Sequence, residues 1–174
     1  MGPVTVESAA PRTPFSMAGL PELWQQTAGD PAICIAMLDG TVDLSHPALV
    51  GAQLTQHDAL GRAGEANIQG REHGTHIASI IFGRHEGPVK GVAPHCSGII
   101  IPIYHDPGGG IACSQMDLAK AINEAVRLGA HIINISGGEL SRNGSTENEL
   151  RLAIRNCVDH DRIIVAAAGN DGCQ

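Results

Sequence analysis

Three side chains in this sequence have the types needed for nucleophilic hydrolysis: Asp39, His73 and Asn170. Asp39 closes the run IAMLD and is followed by Gly40-Thr41-Val42-Asp43. His73 opens HGTHIASI, and Asn170 lies in AAAGNDG. Taken singly, each has a plain structural explanation. Asp-Gly after an apolar run is a common turn, a histidine beside Gly and Thr suits a helix start, and Asn tolerates left-handed backbone. Together their chemistry is complementary. A buried carboxylate can fix the tautomer of an imidazole, the imidazole can take a proton from a hydroxyl, and a side-chain amide can donate to the oxyanion that develops.

These residues must be held by a scaffold, and the hydrophobic pattern predicts one. Short apolar runs at 33–38 (ICIAML), 98–104 (GIIIPIY), 131–135 (HIINI) and 163–168 (IIVAAA) read as buried strands. Between them lie helical patterns: a short one over 20–27, one over 73–82 with Ile77, Ile80 and Ile81, and one over 116–128 ending at Gly129. The last covers 146–160, with Thr146 and Glu149 as a capping box. Continuous rather than alternating apolar strands, separated by helices, predict an α/β fold of three layers, a mainly parallel sheet with helices on both faces. In such sheets chemistry gathers beyond the carboxyl ends of the strands. Asp39-Gly40, Ser136-Gly137-Gly138 and Gly169-Asn170-Asp171-Gly172 follow three of the four runs.

The order Asp, His, oxyanion donor is that of the subtilisins, and the local phrasing agrees. IAMLDGTVDLSHPAL resembles the subtilase Asp motif, HGTHIASII the His motif and GVAP at 91–94 the segment after the His helix. NISGG at 134–138 resembles the substrate-binding segment and VAAAGNDG at 165–172 the oxyanion segment. The likeness runs from about residue 30 to the end. The phrases LDGTVDLSHPAL, HGTHIASIIFG, INISGGEL and AAAGNDGC look like the protease domain of cyanobactin maturation proteases of the PatA/PatG type.

The resemblance implies that Asp39 orients His73, that His73 is the general base and that the Asn170 amide stabilises the oxyanion. It implies that Ser136, Gly137 and Gly138 pair with an extended peptide substrate as an added strand. Ala167, Ala168 and Gly169 would wall the pocket for the residue before the scissile bond. Asp43 and His76 recur in the family as supporting residues. The resemblance also implies a serine-type endopeptidase, acting on a ribosomal precursor peptide.

Two departures stand out. The subtilase nucleophile sits in a Gly-Thr-Ser motif several dozen residues beyond the oxyanion Asn; no Gly-Thr-Ser occurs here, and the sequence stops at Gln174. Ser136 and Ser145 lie in the wrong segments to replace it. The expectation is residues 1–19 as a flexible lead-in and 20–174 as the N-terminal portion of a peptidase domain, its sheet incomplete at the C-terminus. The serine would come from a C-terminal chain or domain; the alternative is an inactive truncated or split fragment that binds peptide or complements a second subunit. Second, FGRHEGPVKGVAP lacks the Asn-rich loop that binds calcium in many secreted subtilisins, so no metal and no cofactor are expected.

Composition excludes other classes. A net charge of −7, with one Trp, one Tyr and two Phe, does not suit a nucleic-acid surface. No run has the length of a membrane span or of a signal-peptide core, so no membrane partner is expected. Five widely spaced cysteines without a CxxC suit a reducing compartment, and the expectation is cytoplasmic. A zinc enzyme built on His73 and His76 would lack HExxH and a third ligand, and a dinucleotide site would need a GxGxxG in the first strand–helix turn.

Overall fold

The computed structural model describes residues 19–62, 68–104, 113–137 and 147–169. The elements, in chain order, are α1 (Leu20–Trp24), β1 (Cys34–Asp39), β2 (Leu54–Gln56), α2 (Ile68–Phe82), β3 (Ser97–Pro102), α3 (Gln115–Arg127), β4 (Ile132–Ile135), α4 (Asn148–Asp159) and β5 (Ile163–Ala166). The five strands form one sheet in the order β2-β3-β1-β4-β5, and every pairing is parallel. The lead-in expected over 1–19 falls, except for Gly19, outside the described residues.

Strand side chains alternate between faces, and β1 divides them cleanly. Ile35 and Met37 join Phe82, Ala78, Val42, Leu49 and Ile100 on the α2 face. Ala36 and Leu38 join Leu118, Ile122, Ala125, Ala153 and Cys157 on the face of α3 and α4. Continuing the alternation by one step puts Asp39, the last residue of β1, on the α2 side. The sheet is therefore sandwiched between helices, as the unbroken apolar runs predict.

Local signals set the boundaries. Ser114 caps α3, its hydroxyl accepting from the Asp117 N–H at 3.1 Å. At the other end Gly129 takes φ +83°, while Ala130 N donates back to Ala125 O at 3.0 Å, a left-handed C-terminal cap. Two expectations need correction. α4 is capped at Glu147, whose side chain makes no capping bond, rather than by a Thr146–Glu149 box; Thr146 itself lies outside the described residues. α2 starts at Ile68, so His73 stands in its second turn and not at its start. β2 was not foreseen: Leu54–Gln56 is a three-residue edge strand with one apolar residue, too short to leave a pattern.

At the opposite edge, no strand among the described residues pairs with the outer side of β5. Ile163 and Val165 of β5 are 58% and 50% exposed, and α4 exposes Leu152 and Val158 by 57% and 66%.

Candidate active site

The site forms where β1 ends and α2 crosses it. Asp39 is fully buried. Its Oδ1 accepts from the Gly40 N–H at 2.6 Å and from His73 Nδ1 at 2.7 Å. A carboxylate can only accept, so Nδ1 carries a proton, and in the neutral imidazole the lone pair falls on Nε2. Asp39 Oδ2 is also buried and finds no hydrogen-bond partner among the described residues. The His73 side chain, by contrast, is 44% exposed. One end of the imidazole is thus anchored inside the protein while the other meets solvent.

This approach depends on close contact between α2 and the loop after β1. A side chain at Gly40 would overlap the Gly70 carbonyl. A Cβ at Gly74 would lie 2.6 Å from the Thr41 carbonyl oxygen and 2.8 Å from that of Gly40. A side chain is therefore excluded at both positions, one in the loop after β1 and one in α2 directly after His73. Polar ties hold the same contact: Asp43 N donates to Thr75 Oγ1 at 2.9 Å, and Arg71 pairs with Asp43 at 3.3 Å. Two hydrogen bonds from Ser45, through its hydroxyl and its N–H, hold the Asp43 carboxyl below the usual carboxylate range, with Arg71 adding to them.

The predicted substrate-binding residues lie along the same edge. Ser136 and Gly137 follow β4, and Ser136 N donates to Leu38 O at 3.2 Å, so the ladder runs past the strand ends. The Ser136 hydroxyl accepts from Asn134 Nδ2 at 2.9 Å. Ala167, Ala168 and Gly169 follow β5 and are exposed, with Gly169 at φ +84°. Gly138 and Asn170 lie outside the described residues. His76 is separate from the Asp39–His73 pair: with Asp43, Thr75 and Ser79 it lines a neighbouring cavity of about 610 Å³. Among the described residues no group of three or more His, Cys, Asp or Glu is placed to hold a metal ion.

One residue at this edge escaped the sequence reading. Tyr104, two positions beyond β3, places its ring 6.5 Å from that of His73, edge-on at 77°. Burial pushes its phenol well above the usual tyrosine range, and the Asp39 charge adds to the shift.

Residues 30–174 match the Subtilase family. The chain belongs to that family. Among solved structures, it is similar to the prenylagaramide maturation protease PagA, at 45% identity and a TM-score of 0.78 over 90% of this chain and 53% of that one. It is also similar to the patellamide maturation protease PatA, at 47% identity and a TM-score of 0.71 over 83% of this chain and 51% of that one. The PatG macrocyclase domain follows at 29% identity and a TM-score of 0.75, over 89% of this chain and 56% of that one. The major intracellular serine protease of Bacillus subtilis (strain 168) is 33% identical over 159 residues, 87% of this chain and 47% of its own length. The subtilase chain thus spans about half the length of the relatives it matches.

Proposed function

We propose that this chain carries the Asp–His half of a serine endopeptidase site that processes a ribosomal precursor peptide. The observation that carries the reading is the 2.7 Å bond from His73 Nδ1 to the buried Asp39 carboxylate, with the imidazole partly exposed at the carboxyl edge of a parallel sheet. His73 would take the proton of a serine hydroxyl as that oxygen attacks the scissile carbonyl, then return it to the leaving amine. Asp39 holds the tautomer and stabilises the imidazolium without being protonated itself. The Asn170 amide donates to the oxyanion. The peptide lies as an added strand along Ser136, Gly137 and Gly138, with Ala167, Ala168 and Gly169 beside the residue before the scissile bond.

The nucleophilic serine comes, on this reading, from a C-terminal segment or a second chain. Two of the similar structures are maturation proteases, and a PatG macrocyclase at 26% identity has been solved in complex with peptide. Those names support a precursor peptide as the substrate. The four described cysteines, Cys34, Cys96, Cys113 and Cys157, are free thiols, in keeping with a cytoplasmic site of action. The test is cleavage of a cyanobactin-type precursor peptide by the serine-bearing domain, followed by mass spectrometry. Cleavage that disappears in His73→Ala supports the reading; cleavage at the native rate in that variant contradicts it.

A second reading rests on the open β5 edge and the apolar face of α4: the chain acts as a peptide-binding or complementing subunit without catalysis of its own. Binding of the precursor peptide without turnover, in the presence of every serine-bearing partner tried, would favour it over the first.

A further inference from the structure

We propose that Tyr104 is a positioning residue for the Asp39–His73 pair, its ring spanning the end of β1 from the β3 side to Gly137 and keeping water from the carboxylate. The proposal rests on the reading of that pair as catalytic.

The placement follows from the register of the sheet. β1 lies between β3 and β4. Asp39 is paired with Pro102, the last residue of β3, and Ile103 N donates to Asp39 O at 2.8 Å, so the chain after β3 continues alongside the exit of β1. Tyr104 is the next residue. On the other flank, Ser136 N donates to Leu38 O, and Gly137 follows. Tyr104 and Gly137 therefore stand on opposite sides of the backbone that leaves β1. The tip of the phenol fills the space that a Cβ on Gly137 would occupy. A side chain anchored beside β3 with its tip at Gly137 must pass over the end of β1, where Asp39 sits. Its ring presents an edge contact to His73 on the way.

The electrostatics agree with this geometry. The phenol resists ionisation first because it is buried and next because the Asp39 charge is near. Ring and carboxylate thus share one poorly solvated space. In such a space a hydrogen bond to a carboxylate is stronger than in water, and no solvent competes for the acceptor. The remaining oxygen, Oδ2, has no partner among the described residues, so water reaching it would compete for the charge that holds His73. Tyr104 is the sole tyrosine of the chain, and neither proton transfer nor oxyanion binding in the proposed mechanism uses it. A side chain at Gly137 would have to displace the phenol.

The experiment reads the His73 Nδ1 proton by low-field proton NMR on the 174-residue chain, with exchange against water measured at constant pH. It requires no nucleophile, so a failure to cleave peptide leaves it interpretable, and its own failure leaves the protease reading standing. The wild type and Tyr104→Phe, which keeps the ring, should show a protected low-field resonance. Tyr104→Ala should exchange that proton at least about tenfold faster while the protected amides of β1 and β4 persist. If the alanine variant loses those amides, Tyr104→Leu decides: it retains apolar volume but cannot reach Gly137, and the same acceleration is expected. Unchanged exchange in the variant that keeps its fold, or an unprotected His73 proton in the wild type, would overturn the proposal.

Discussion

His73 is nearly half exposed, yet its Nδ1 lies 2.7 Å from the carboxylate of Asp39, which is fully buried. The two residues belong to different elements, the end of β1 and the second turn of α2, and meet because glycine at 40 and 74 removes the side chains that would hold strand and helix apart. The arrangement leaves a basic nitrogen at the surface whose tautomer is set from within.

In the serine-bearing domain, Asp39→Asn should lower kcat by about 10⁴-fold, the size known for the same change in a trypsin-like triad, because an amide can donate to Nδ1 and stabilise the wrong tautomer. Asn170→Ala should lower kcat by about 10²–10³-fold with little change in KM, the size known for such a donor in a subtilisin. Steady-state kinetics on a peptide substrate checks both. An unchanged kcat removes the substituted residue from the mechanism.

Gly74→Ala places a methyl group against backbone carbonyls rather than a movable side chain, so α2 must retreat from the loop after β1. Overpacking of this kind costs ~1–3 kcal/mol. We expect a lower denaturant midpoint at an unchanged m-value, together with loss of the Asp39–His73 bond. A midpoint equal to that of the wild type would show that the helix does not rest on this contact.

Much of this arrangement was legible in the sequence. The runs ICIAML, GIIIPIY, HIINI and IIVAAA are unbroken because helices lie on both faces of the sheet, and each overlaps an observed strand. Asp39 and His73 were found through their flanking motifs. The start of α2 left no comparable signal: only in the packed structure does the Gly70 carbonyl lie where a Cβ on Gly40 would stand. Leu54–Gln56 left no signal because an edge strand with exposed polar residues has no apolar run. In the sequence Tyr104 only closes an apolar run, since its contact with Gly137 exists only once β3 and β4 flank β1.

A second ion-pair centre offers a pH test away from the site. Glu124 accepts from Arg127 at 2.6 and 2.7 Å and from His57 at 2.6 Å. The Arg127 hydrogen bonds, with His57 adding to them, bring the Glu124 carboxyl down from 4.5 to about 2. A carboxyl group lowered in the folded state contributes stability that is present above its unfolded value and lost as pH falls through the folded value. Stability should therefore decline between about pH 4.5 and 2, and Glu124→Gln should flatten that decline. Urea unfolding at stepped pH measures it; an acid limb unchanged by the substitution would contradict the assignment.

The open edge at β5 should drive association. Among the described residues no strand pairs with the outer side of β5, where Ile163 and Val165 are exposed, and Val158 extends the patch. We expect the isolated chain to self-associate in size-exclusion chromatography, and Ile163→Lys with Val158→Lys to shift it toward monomer. A monodisperse wild-type monomer with a sharp thermal transition would mean that these residues form a self-sufficient domain.

The central claim, that this chain holds the base and its orienting carboxylate but not the nucleophile, is tested most directly by complementation. The purified chain is assayed for hydrolysis of a peptide substrate and for labelling by a serine-directed covalent inhibitor, first alone and then joined to a C-terminal subtilase half that carries Gly-Thr-Ser. We expect no turnover and no labelling alone, turnover and labelling when joined, and loss of turnover again in the joined His73→Ala variant. Inhibitor-sensitive turnover by the chain alone, or turnover in the joined protein that survives His73→Ala, would contradict the claim.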